Sequence, residues 1–87
     1  MSSDPRDAFY RQHADHLRNY LRLRLKRGGL ETWTEPEDLA QEAFLKLFGG
    51  YPELDDPEEQ SALIYKIGKR LILDIGRQKQ GRRGQIH

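Results

Sequence analysis

"EPEDLAQEAFLKLF", residues 35–48, sets four acids and a run of apolar residues in one stretch of a chain whose net charge is only +1. At about 100° per residue the stretch sorts itself as a helix. Ala40, Ala43, Phe44 and Leu47 fall on one side with Leu39 at its margin, while Asp38, Gln41, Glu42 and Leu45 fall on the other at i, i+3, i+4 and i+7. The first set reads as a core face. Thr34 is placed to cap the helix, Glu37 completes a capping box and Pro36 fits the first turn, so the spacing predicts a helix over 35–48 that Gly49 and Gly50 end.

One amphipathic helix cannot bury its own apolar face, and the flanking segments supply what it packs against. Residues 5–27 place Phe9, His13, Leu17, Tyr20, Leu21 and Arg24 at spacings of three and four. Asp4 before Pro5 fits a helix start, and Gly28-Gly29 a helix stop. Arg11, Asp15, Arg18 and Arg22 form a solvated charge ladder on the outer face. The connection "GGYPELDD" reads as an ordered loop. Asp56, Pro57 and Glu59 then open a third helix, predicted over 57–76, with Leu63, Ile64, Ile67, Leu71 and Ile75 inward. Residues 79–87 are basic, lack periodicity and read as a flexible tail after a domain that spans 1–78. The expected fold is all-α: a compact three-helix domain with a flexible basic C-terminal tail.

An 87-residue chain is one domain and leaves little apolar surface for a deep pocket. It has no cysteine, hence no disulfide and no thiolate metal site. No run approaches membrane-spanning length and "MSSDPRDAF" lacks the order of a signal peptide, so a soluble, cytoplasmic chain without membrane insertion is expected.

The near-zero net charge conceals segregation. Residues 1–30 carry +4, residues 31–60 carry −9 and residues 61–87 carry +6. Two surfaces of opposite sign suit two different partners. In the acidic segment Leu45 is an apolar residue among acids on the face that should see water, the pattern of an anchor for a basic partner helix. On the third helix Tyr65, Lys66, Lys69, Arg70, Leu73 and Arg77 project outward, and Lys79, Arg82 and Arg83 extend the stripe. Cations interleaved with a ring and aliphatic groups suit single-stranded nucleic acid, because cations track phosphates while flat groups meet unstacked bases. Asp74 falls at the edge of the inward face and is expected to pair with Arg24. His13 and His16 have no third ligand, no glycine-rich phosphate loop occurs, and the acids have no partnering base or nucleophile, so neither an enzyme nor a metal or other cofactor is expected.

"EPEDLAQEAFLKLF", followed fifteen residues after Phe48 by "LIYKIGKRLILDIGRQ", resembles the second region of bacterial RNA polymerase sigma factors, most closely the extracytoplasmic-function group. The likeness runs from about Phe9 to Arg83. It implies a transcription initiation factor domain, nucleoid-associated when in holoenzyme, that docks on the clamp helices of the polymerase's largest subunit and opens the minus-ten promoter element. By the resemblance, Asp38, Gln41, Glu42 and Leu45 would bind polymerase. Tyr65, Lys66, Lys69 and Arg70 would meet the separating strands, the non-template strand in particular, and the loop "GGYPELDDPEEQS" would capture a flipped base. An anti-sigma factor is a further implied partner. Leu63 stands where the family carries tryptophan and Arg70 where it carries asparagine, so the base contact of that amide does not carry over. The 87 residues include no helix-turn-helix sigma domain four. The alternative reading is a helical protein–protein interaction module without DNA binding, its basic stripe being only solvated surface.

Overall fold

In the computed structural model, which describes the backbone of residues 5–85 and the side chains of residues 6–80, three helices follow in order: α1 (Pro5–Arg27), α2 (Pro36–Gly50) and α3 (Pro57–Gln85). No strand occurs among the described residues. The all-α, three-helix expectation holds.

The end of α1 is set by its two glycines. Gly29 adopts φ 69°, the left-handed conformation open to a residue without Cβ. The Gly29 amide then donates to the Lys26 carbonyl at 3.2 Å and the Leu30 amide to the Leu25 carbonyl at 2.9 Å, the paired bonds of a Schellman stop. Leu30 is thereby turned back into the core beside Leu25, and both are buried. The single tryptophan, Trp33, follows in the same turn and packs against that cluster.

The core joins all three helices. Phe9, Leu17, Leu21 and Leu25 come from α1, Leu39, Ala40, Ala43, Phe44 and Leu47 from α2, and Ile64, Leu71 and Ile72 from α3. Phe9 lies 6.0 Å from Phe44 and 6.1 Å from Phe48 between ring centroids, which sets α1 antiparallel to α2. α1 and α3 run the same way, with Leu17 and Leu21 facing Gly68 midway along. A Cβ at Gly68 would come within 2.9 Å of the Leu21 Cδ2. Glycine there permits the close crossing.

Several local expectations are corrected. The residue before α2 is Glu35, not Thr34, and it makes no side-chain cap bond. Pro36 at the first position needs no amide partner, which makes a capping side chain less necessary. α2 continues through Gly49 and Gly50, past the predicted end at Phe48, until the Tyr51 amide bonds the Leu47 carbonyl. α3 runs beyond Gly76 to Gln85 where a tail from residue 79 was expected. One glycine costs an exposed helix only about 1 kcal/mol, and Arg77, Gln78, Lys79 and Gln80 are good helix formers. Asp56 does cap α3, but its carboxylate accepts from the Glu58 amide at 3.0 Å rather than from Glu59. In the charge ladder of α1, Arg18 pairs with Asp15 while Arg11 pairs with Asp7.

Candidate functional site

α2 presents two faces because its apolar residues recur at helical spacing and its acids fill the gaps. Leu39, Ala40, Ala43, Phe44 and Leu47 are buried, so Leu39 belongs fully to the core and not to its margin. Asp38, Gln41 and Glu42 are exposed, and Leu45 is 72% exposed. Leu45 does not stand alone. A shallow apolar groove between α1 and α2 joins it to Tyr10, Phe44 and Phe48, with Gln41, Arg6 and Asp7 at the rim. The Tyr10 ring lies 4.7 Å from Phe44, and the Arg6 guanidinium stands 5.6 Å over Phe48. Tyr10 escaped the sequence reading because helical projection treats each helix separately, and only the packing of α1 on α2 brings its ring beside Leu45.

On α3, Lys66, Lys69, Arg70 and Arg77 are exposed and Leu73 is 49% exposed, as the projection predicts. Tyr65 is half-buried instead of outward. Its ring meets that of Tyr20 edge-on at 5.1 Å, an arrangement that fixes its orientation. Asp74 pairs with Arg70, Nε to Oδ1 at 3.5 Å one turn away, and not with Arg24. The Arg24 guanidinium lies 5.6 Å over the Tyr20 ring. Both members of the Arg70–Asp74 pair are well exposed, and such pairs contribute at most about 1 kcal/mol, so a phosphate can displace the carboxylate. Lys79 turns toward α1, where its ammonium donates to the Gly29 carbonyl at 3.2 Å. The side chains of Arg82 and Arg83 lie outside the described residues.

The loop between α2 and α3 is ordered by its own bonds. The Leu54 amide donates to the Tyr51 carbonyl at 3.1 Å, and the Gln60 side-chain amide donates to the Leu54 carbonyl at 2.7 Å. Tyr51, half exposed, lines a recess together with Lys46, Lys66, Ile67, Arg70, Leu71 and Asp74. The recess holds about 290 Å³, the lower limit of a small-ligand pocket (~300 Å³), so it suits a single flat group more than an extended ligand. Elsewhere, the His13 ring packs 4.3 Å from Phe9, and no group of three or more His, Asp or Glu among the described residues could hold a metal ion.

The model of the sigma-70 region 2 family matches residues 9–83, from the first core phenylalanine through the basic end of α3. The chain belongs to the sigma-70 region 2 family. Membership implies RNA polymerase binding and recognition of the minus-ten promoter element in general, and makes this sigma domain a transcription initiation factor. No curated protein and no solved structure gives a significant match. No helix of the sigma domain, among the described residues, is long and apolar enough to cross a membrane.

Proposed function

We propose that the sigma domain divides its two family tasks between two surfaces. Asp38, Gln41, Glu42 and Leu45 of α2 dock on the clamp helices of core RNA polymerase. Tyr65, Lys66, Lys69, Arg70 and Arg77 of α3 hold the non-template strand of the minus-ten element, and Lys79, Arg82 and Arg83 extend that surface. The observation that carries the reading is the exposure of Leu45 amid Asp38, Gln41 and Glu42, on the side of α2 away from the core. A buried interface centred on an apolar anchor and rimmed by charge gains affinity from the anchor and orientation from the rim.

The recess that Tyr51 lines is the place for an extruded base. Flipping costs roughly a few kcal/mol, and the Tyr51 ring, which lines the recess with Ile67 and Leu71, would recover part of it by stacking. Lys46, Lys66 and Arg70 around the rim offer hydrogen-bond donors, and Asp74 an acceptor. Arg70, in the asparagine position of the family pattern, would contribute charge where an amide would read a base edge. The motif resemblance supports placing the domain in the extracytoplasmic-function group, and an anti-sigma factor would act by covering one or both surfaces in the cytoplasm.

Binding of a labelled single-stranded non-template oligonucleotide, followed by anisotropy across a salt series, tests the DNA half. With four to six phosphates neutralised, log K against log salt should fall with a slope of about −3 to −4. A flat or undetectable response would leave a protein-binding module without DNA binding.

A further inference from the structure

The outward stripes of α2 and α3 share one spacing. On α2, Asp38, Gln41, Glu42 and Leu45 stand at i, i+3, i+4 and i+7, and on α3 Lys66, Lys69, Arg70 and Leu73 repeat the interval. A leucine closes both sets, and where α2 carries Asp38 and Glu42, α3 carries Lys66 and Arg70. Every one of these side chains is exposed, Leu45 by 72% and Leu73 by 49%. Among the described residues, Asp38, Glu42, Lys66 and Lys69 form no ion pair. Arg70 is engaged by Asp74, in an exposed pair that a second carboxylate can displace. The stripes cannot meet within one chain, because α2 and α3 turn their other faces to the common core. Isolated exposed leucines need no explanation, but solvation gives no reason for one at the same step of two oppositely charged stripes.

We infer that the α2 stripe of one chain binds the α3 stripe of a second copy, the two helices lying parallel so that Leu45 meets Leu73, Asp38 faces Lys66 and Glu42 faces Arg70. Charge complementarity names the occupant, and the shared interval is that of a two-helix seam. The parallel direction follows from the leucines, since an antiparallel pairing would set Leu45 against Lys66 and Leu73 against Asp38. Beside Leu45 the apolar groove, lined also by Tyr10 and Phe48, gives the aliphatic stems of the incoming lysines a surface to lie on. A net charge of +1 leaves little repulsion between copies. The contact is heterologous: each chain in a pair keeps one stripe free, so further copies can add. Two turns of helix make a small interface, below the roughly 1,200 Å² of lasting complexes, so the chain is monomeric when dilute and associates when concentrated. Each contact covers one polymerase surface and one DNA surface. That consequence rests on the functions proposed for them, whereas the contact itself does not.

Sedimentation equilibrium of the full chain is the test. At about 20 mM salt, a Debye length of roughly 20 Å, and a concentration of about 500 μM, the weight-average mass should reach at least about 1.5 times the 10.2 kDa of one chain. At about 0.5 M salt it should return to that of one chain. Asp38→Lys with Glu42→Lys, and Lys66→Glu with Arg70→Glu, should each be monomeric under both conditions. An equimolar mixture of the two should regain association, because each brings one native stripe. Glu53→Lys with Asp55→Lys makes the same charge change outside both stripes and should associate as the wild-type chain does. Leu73→Gln changes no charge and should raise the dissociation constant about tenfold, the loss expected for one buried leucine. Thermal melts identify any variant that fails to fold, and the salt response with Leu73→Gln then decides. A wild-type chain that stays monomeric throughout, association indifferent to salt, or association undiminished by Leu73→Gln overturns the inference. So does a mixture of folded charge variants that remains monomeric. Failure of the functional reading has a different signature: self-association as described, with no binding to polymerase or to the oligonucleotide.

Discussion

Leu21→Ala is expected to lower the unfolding free energy by about 3 kcal/mol, read as a shift of the urea midpoint at constant slope. Leu21 is wholly buried, and a leucine truncated at such a site loses transfer free energy and leaves a cavity. The total stability of an 87-residue domain is only about 4–13 kcal/mol, so the loss is a large fraction of it. The crossing at Gly68 adds a second expectation. Gly68→Val alone should cost about 1–3 kcal/mol, because its Cβ would approach Leu21 Cδ2 to 2.9 Å and the wholly buried Leu21 side chain would have to shift. Combined with Leu21→Ala, the added volume enters the space that the leucine leaves. The double variant should therefore be less destabilised than the sum of the two single ones by at least about 0.5 kcal/mol. Strict additivity would mean that the α1–α3 crossing adjusts elsewhere.

Charge reversal of Asp38 and Glu42 to lysine, or Leu45→Arg, should weaken capture of core RNA polymerase by more than about thirtyfold, an effect of 2 kcal/mol or more typical of a central anchor. The melting temperature should stay nearly constant, because all three side chains are exposed and surface changes of this kind alter stability by about 0.5 kcal/mol or less. The two routes should separate kinetically. Reversing the rim charges slows association and changes its salt dependence, whereas removing the anchor speeds dissociation. Tyr10, beside Leu45 in the α1–α2 groove, should show a smaller loss of the anchor kind on Tyr10→Ala. Unchanged capture by every variant would remove α2 from the interface.

Much of this was legible in residues 35–48. The division of α2 into a buried and an exposed face follows from helical spacing, and Leu45 stands out because an apolar residue falls in the wrong register for the core. The two glycines after α1 likewise announce its end. What escaped notice depended on a second helix. Tyr65 counts as outward on α3 alone, yet the ring of Tyr20 covers it. Asp74 sits within reach of Arg24 in a flat projection, whereas the pair closer in the chain, one turn apart on α3, formed instead. Ile72, Leu25 and Leu30 join the core because the Schellman turn folds Leu30 back and the parallel run of α1 and α3 covers the flank of each stripe. The length of α3 was misjudged because Gly76 looks like a stop, although no φ above zero is required of it.

In the proposed division of labour, one small helical unit carries a polymerase surface and a DNA surface on separate side chains. Backbone amide shift mapping during titration with the single-stranded non-template oligonucleotide tests it most directly. The shifts should concentrate at Tyr51 and from Tyr65 to Arg77, with Asp38, Gln41, Glu42 and Leu45 unmoved at saturation. Shifts centred on Asp38 to Leu45, or none anywhere at saturating oligonucleotide, would contradict it.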